Sequence, residues 1–422
     1  VSHWDSANNL QASCLAKDQE PQTVNQSTQY AAVVEVEGLL GFSRPDEVIP
    51  DTEGRGLKRA KTHASDAGYA RMLEYRSCRI RDWSAPGQPR PNIRKMGFES
   101  IDLSPLTALQ ELLAQIRAAG EITPQQGRQL RRHLTGGVFP LSDGKCLKML
   151  QIAPEGLIMR KGGPNGLKTD PDVTMGEMNG HDVAVSVHGD QDVRGTPLKQ
   201  IMRGFAPQLF RHQTPDGSNT LSPLVLVNLW IPLQQITRPL ALMDRRTLNA
   251  REHQLRYALP TDAFLDRRED MRVNDIWSFL HDDAQLWYFH SAMGHDKAYI
   301  FDTLGEPHGA FILPGEEVAE QYYLQLQRLR EQLAAGIHPL PPVLSSAPVP
   351  SSTTAALRAA IERMAALLAG FPHATAGGQA VAEWQLQAKD AMEAVVRKSL
   401  EMRVVALLLP DVWPFNRGRL SV

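Results

Sequence analysis

The chain has few cysteines, almost no net charge and no long apolar run. Cys14, Cys78 and Cys146 are the only three in 422 residues, and they are widely spaced. They build neither a disulfide framework nor a zinc motif, which fits a reducing compartment. With 45 basic and 47 acidic side chains the formal net charge is -2, so the electrostatic footprint of a nucleic-acid binder is missing. No apolar stretch approaches the roughly 20 residues that span a bilayer. The longest, Val404 to Leu409, has strand length. The first residues lack the basic-then-apolar plan of a secretory signal. Together these absences predict a cytoplasmic protein with neither a membrane nor a nucleic-acid partner. What is present, 42% hydrophobic and 22% charged residues, is enough to bury an ample core.

Hydropathy patterning then divides the chain. Residues 1–28, rich in Gln, Asn, Ser and Asp, read as a mobile arm, and residues 29–422 as one domain. Strands are expected at Ala31 to Val36 and Met72 to Trp83, with helices at Leu106 to Ala119 and Thr123 to Leu134, each opened by a Ser-Pro or Thr-Pro start. From Leu147 onward, short β-rich runs alternate with Gly, Pro and Asp: Leu157 to Met159, Val183 to His188, Leu224 to Ile231, Leu240 to Leu242, Leu286 to His290, Ala298 to Asp302 and Ala310 to Leu313. Many short strands with turn signals predict a sandwich or rolled barrel. Helical periodicity returns at Glu316 to Ala335 and Thr353 to Lys398, flanking a Pro/Ser-rich connector, before a last strand at Ser399 to Leu409. Residues 316–395 thus read as a helical insertion ahead of the last core strand, suited to packing, to a lid or to a homodimer contact.

The residues that carry chemistry sit among these strands. In His188-Gly189-Asp190 two ligand types stand at i and i+2, which share one face of a strand. Gly189 keeps the position between them small. His308, just before an expected strand, offers a third ligand, in competition with His281, His290 and His295; Asp192 competes with Asp190. Two histidines and one carboxylate are the set that non-heme Fe(II) oxygenases use on one face of the metal, leaving positions open for co-substrate and dioxygen. Arg397-Lys398-Ser399 adds a planar guanidinium and a hydroxyl on one strand face, suited to gripping a carboxylate. Beyond them, the alternation leads us to expect Glu401 to pair with Arg403.

Several ordered blocks between Met72 and Leu409 resemble the AsaB/CmcJ-type hydroxylase/desaturase family of Fe(II)/2-oxoglutarate oxygenases, enzymes of secondary metabolism. They are Met96-Gly97-Phe98-Glu99, Val187-His188-Gly189-Asp190, Val227-Asn228-Leu229-Trp230-Ile231-Pro232-Leu233, Arg238-Pro239-Leu240-Ala241-Leu242-Met243-Asp244, Leu286-Trp287-Tyr288-Phe289, Pro307-His308-Gly309-Ala310-Phe311 and Arg397-x-Ser399-x-Glu401-x-Arg403. The resemblance implies an α+β fold built on a double-stranded β-helix, a jelly-roll or cupin-like core with flanking helices. It selects His308 as the distal ligand beside His188 and Asp190, and Arg397 and Ser399 as the 2-oxoglutarate grip. It implies Fe(II), 2-oxoglutarate and O2 as the chemical equipment. The implied partner is a small or medium secondary metabolite that is hydroxylated, with desaturation, cyclisation or endoperoxidation as other outcomes. Asn228, Trp230, Trp287 and Tyr288 are candidate pocket residues, and no catalytic residue beyond the metal centre is marked. Two departures stand out: Ile231 occupies a position where the family commonly has Arg, and residues 309–396 separate the distal His from the Arg-x-Ser strand. A zinc hydrolase on the same ligands and a non-catalytic scaffold are the competing readings.

Overall fold

Along Leu224–Gln234, Val225, Val227, Leu229, Ile231 and Leu233 join one apolar cluster while Leu226, Asn228 and Trp230 do not. This two-residue alternation is that of a strand with a different environment on each face, and it recurs throughout the computed structural model. The described residues are 35–50, 54–61, 73–153, 156–169, 178–193, 207–234, 236–260, 273–291, 293–337, 348–372 and 377–409. The arm at 1–28 and most of the Pro/Ser-rich connector lie outside them.

The elements that position the site begin with strands β1 (Glu35–Ser43), β2 (Leu73–Asp82) and β3 (Phe98–Asp102), then helices α1 (Thr107–Ala119) and α2 (Pro124–Leu134). Next come β4 (Cys146–Ile152), β5 (Ile158–Gly162), β6 (His188–Gly189), β7 (Leu224–Gln234), β8 (Leu240–Met243), β9 (Gln254–Pro260) and β10 (Val273–Phe279). They are followed by β11 (Trp287–Phe289), β12 (Lys297–Asp302), β13 (His308–Ala310), helices α3 (Glu316–Ala334), α4 (Ala355–Ala369) and α5 (Gly378–Ala394), and β14 (Arg397–Leu409).

Eight of these strands form the core. One sheet runs β5-β14-β7-β12 and the other β6-β13-β8-β11, with every one of these pairs antiparallel. Chain order alternates between the sheets except at the consecutive β8 and β11, and the first core strand pairs with the last. That connectivity is the jelly roll, or double-stranded β-helix. β3 and β4 extend the first sheet; the β9-β10 hairpin and the β2-β1 pair extend the second. α1 and α2 bury Leu109, Leu112, Leu113, Ile116, Leu130 and Leu134 against the outer face of the first sheet. α2 starts where Thr123 caps it, its hydroxyl accepting from the Gln126 amide while Gln126 reaches back to the Thr123 amide. The insertion helices α3, α4 and α5 pack in one cluster with Phe42, Ile80, Met243, Trp287 and Phe311 of the second sheet.

Several elements differ from the sequence expectation. Val183 to His188 is not a regular strand: only His188–Gly189 is, and the residues before it run beside Gly41 and Ala310 through single hydrogen bonds. His308 lies inside β13 rather than before it. The expected Thr353 to Lys398 helix is two helices, since Gly370 ends α4 and Gly377 precedes α5. The β9-β10 hairpin was not foreseen.

Candidate metal centre

β6 and β13 are neighbours, and His188 and His308 are direct cross-strand partners with ring centroids 4.4 Å apart. Asp190 follows β6 and turns back toward both imidazoles. Its Oδ1 lies 3.7 Å from His188 Nε2 and its Oδ2 3.5 Å from His308 Nε2. One ligand atom from each residue lies within 4.8 Å of the other two.

The backbone sets the tautomer of both histidines. Nδ1 of His188 sits 2.7 Å from the Ser186 carbonyl, and Nδ1 of His308 sits 2.9 Å from the Glu306 carbonyl. A carbonyl only accepts, so Nδ1–H donates in each case and the Nε2 lone pair is left facing Asp190. Burial, then the neighbouring His308, pulls the His188 imidazole down to about 4, and burial lowers His308 as well. Burial alone would raise Asp190, but Arg403, the two histidines and the Asn228 amide outweigh it, so the carboxyl falls below its ordinary value. Two neutral imidazoles and an ionised carboxylate are the protonation states a divalent metal requires.

The first sheet holds Asp190 in turn. Asn228 on β7 and Arg403 on β14 are register partners. Asn228 Nδ2 donates to Asp190 Oδ2, while Arg403 Nη2 lies 2.9 Å from Oδ1. Thr303 donates to Asn228 Oδ1 at 3.1 Å and so fixes which end of the amide faces Asp190. Arg403 therefore pairs with Asp190, correcting its expected partnership with Glu401, whose Oε1 accepts instead from Arg160 Nε at 2.8 Å.

Along the same face of β14 lie Ser399 and Arg397. Arg397 is 1% exposed; it donates to the Arg238 carbonyl at 2.8 Å and to Ser399 Oγ at 3.3 Å, and its guanidinium carbon stands 5.1 Å from the Trp230 ring centroid. Its Nε has no partner, and among the described residues it makes no ion pair. Burial lowers its pKa to about 9. A buried cation that no carboxylate among the described residues contacts is costly, and Glu401, paired with Arg160, supports its charge only from a distance.

The candidate pocket residues divide. Asn228, Trp230 and Tyr288 face the interior between the sheets, where Trp230 stacks on Tyr299 at 4.9 Å. Trp287 does not join them: period-two alternation turns it to the outer face, where it meets Phe42 and the insertion cluster. The rival ligands lie elsewhere. His290 packs edge-on against Trp83, His281 edge-on against Phe42, and Gln110 reaches the His295 carbonyl. Asp192 is held by Arg55, which also pairs with Asp216. The neighbours that confine Gly189 are Trp277 and Gly305: a Cβ added there would stand 3.3 Å from Trp277 Cβ.

One support for the distal histidine was missed in the sequence. Arg245, half-buried beneath the β12–β13 loop, pairs with Glu306 at 3.0 Å and Asp302 at 2.8 Å, while Asp244 pairs with Arg246 at 2.6 Å. Gly97 lies against this cluster: at its φ of 94° a Cβ would stand 1.7 Å from Glu306 Oε2. Only glycine fits, which gives the Met96-Gly97-Phe98-Glu99 block a physical reason.

Fold and site together define a double-stranded β-helix protein with a His-x-Asp…His cluster between its sheets. Residues 177–330, less than half of the chain, match a family model described as "YDMC: Oxidoreductase/YMDC permease-like domain". No helix of the described residues is long and apolar enough to cross a membrane. No curated protein matches the chain. Among solved structures the chain is similar to "iron and alpha-ketoglutarate-dependent endoperoxidase NvfI with different conformation", at 14% identity and a TM-score of 0.44, over 89% of this chain and 98% of that one. A single-residue variant of the same endoperoxidase aligns at 15% identity and a TM-score of 0.43, over 90% of this chain and 99% of that one.

Proposed function

We propose that the protein is a non-heme iron oxygenase that consumes 2-oxoglutarate and O2 to oxidise a small or medium metabolite. The observation that carries the proposal is one interior surface bearing both a neutral-imidazole, ionised-carboxylate triad and a buried arginine that contacts no carboxylate among the described residues. His188, Asp190 and His308 would hold Fe(II). Arg397 and Ser399 would hold the distal carboxylate of the oxo acid, a grip that a hydrolytic zinc site does not need. When bound, the iron and its co-substrate supply the oxidising power for an unactivated C–H bond. The chain's own residues do the rest. Ser186 and Glu306 fix the two imidazoles, Asn228 and Arg403 orient Asp190, and the Trp230, Tyr288, Tyr299 and Phe301 rings keep the interior dry.

Over the whole reaction the oxo acid loses carbon dioxide and leaves as succinate, while one substrate C–H becomes C–OH. Hydroxylation is the default outcome; desaturation, cyclisation and endoperoxidation follow from other substrate placements. The ordered sequence blocks favour membership of the AsaB/CmcJ-type group within this class. Anaerobic addition of Fe(II) and 2-oxoglutarate is expected to raise a weak visible charge-transfer band that His188→Ala and His308→Ala abolish. A wild-type protein that binds Fe(II) or Zn(II) yet gives no band dependent on the oxo acid would sink the reading in favour of a hydrolytic or non-catalytic one.

A further inference from the structure

Among the described residues only two non-glycine positions have left-handed backbone, Asn165 at φ 54° and Arg238 at φ 49°. Residues with side chains rarely hold this conformation, and they hold it where the surroundings impose it. Both donate their backbone N–H to the same carboxylate. Glu316, the first residue of the insertion helix α3, is fully buried. Its Oε2 accepts from Asn165 N at 2.7 Å, and its Oε1 accepts from Arg238 N at 2.8 Å and from Leu313 N at 2.9 Å. Asn165 is tied a second time, through Nδ2, to Glu320 one turn along α3.

The far end of the insertion meets the same turn between β7 and β8. Thr237 Oγ1 donates to the Val395 carbonyl at 2.7 Å, and Gln234 Nε2 donates to the carbonyls of Glu393 and Val396. The first residue and the last turn of the insertion therefore close on one segment. That segment presents the Arg238 carbonyl to Arg397 Nη1.

We propose that the insertion is a clamp on the co-substrate site, with Glu316 as the positioning residue that fixes the Arg238 backbone and, through its carbonyl, the Arg397 guanidinium. The reach of the insertion into the site thus runs through backbone hydrogen bonds. Glu316 itself touches neither metal nor substrate. The inference rests on the 2-oxoglutarate reading above.

The test uses the full chain with Fe(II) under anaerobic conditions. Glu316→Gln keeps the side chain's shape but turns one accepting oxygen into a donor that faces a backbone N–H. It is expected to weaken 2-oxoglutarate binding about ten-fold, the scale of one buried charge-assisted hydrogen bond. Affinity for 2-oxobutyrate, which lacks the distal carboxylate, and affinity for Fe(II) alone are expected to stay at wild-type values. In the Arg397→Gln background the Glu316 change is expected to add nothing. Should Glu316→Gln fail to fold, Thr237→Val loosens the other end of the clamp and is held to the same criteria. Unchanged 2-oxoglutarate affinity, an equal loss for both oxo acids, a parallel loss of Fe(II) affinity, or additivity with Arg397→Gln each overturns the inference. A wild-type protein that binds no 2-oxoglutarate overturns the underlying reading instead.

Discussion

Asp190 is held at both oxygens, by a neutral amide on one side and a guanidinium on the other. A carboxylate fixed in this way meets a metal without first losing rotamer freedom, and groups that orient a ligand are typically worth about 10–100-fold in metal affinity. Asn228→Ala is therefore expected to weaken Fe(II) binding about ten-fold in anaerobic calorimetry; an unchanged affinity would remove Asn228 from the site. The residue scale also separates the histidines. His188 with Asp190 was legible from i, i+2 spacing, but spacing could not choose among His281, His290, His295 and His308. The resemblance of the Pro307-His308-Gly309-Ala310-Phe311 block selects His308, and the fold sets that residue across the sheet from His188. His290 has a different consequence. Burial first, then the nearby Lys297, lowers it from its ordinary 6.5 to about 4. The unfolded chain takes up this proton more readily, so the folded state keeps its full advantage above pH 6.5 and loses it as the pH falls through about 4. In thermal melts at pH 7 and pH 4.5, His290→Gln is expected to show the smaller acid-induced drop; equal drops would mean that His290 does not titrate with unfolding.

Strands and loops differ in what periodicity reveals. β7 and β14 are legible from their β-branched and aliphatic density, and helices α1 and α2 because their apolar spacing and start signals agree. β6 is shorter than the pattern predicts, since Val183 to Val187 alternates like a strand but spends its hydrogen bonds on Gly41 and Ala310 one at a time. The β9-β10 hairpin was missed although it carries a strand signal, since Leu255, Tyr257 and Leu259 alternate with Arg256 and Ala258. Loop positions gave the least warning, and Gly97 is the instructive case. Its neighbours Glu306 and Arg245 are distant in sequence, so its need for a missing side chain becomes visible only in the fold. Gly97→Ala must place a methyl where Glu306 Oε2 lies and hold left-handed backbone as well. It is expected to cost about 2–4 kcal/mol in denaturant unfolding, from strain and overpacking together. Because Glu306 also holds His308 through its carbonyl, Fe(II) affinity should fall with it; a variant of wild-type stability would mean that Glu306 moves aside freely.

At the scale of the whole molecule, the question is whether residues 316–395 are an appendage or part of the core. A lid closes over a site and can be removed without unfolding what lies beneath it. These helices instead bury Leu326, Leu357, Ile361, Met364 and Trp384 in one cluster with Phe42, Trp287 and Phe311, the apolar outer face of the sheet that carries His188 and His308. Helical composition in the sequence could not tell packing from a lid or a dimer contact, because periodicity marks an apolar face and not what covers it. The buried partners show these helices packed on the sheet, with Leu324 and Leu386 left exposed on their outer faces. Joining Leu313 to Val395 would leave the sheet's outer face in water and cut the Glu316 contacts to Arg238 and Asn165. Such a deletion is expected to yield aggregated protein without a cooperative melt. A milder variant, Ile361→Ala, should remain folded and lose about 2–5 kcal/mol in denaturant unfolding. A deletion variant that melts cooperatively and still gives the Fe(II) and 2-oxoglutarate band would show that the jelly roll stands without its insertion.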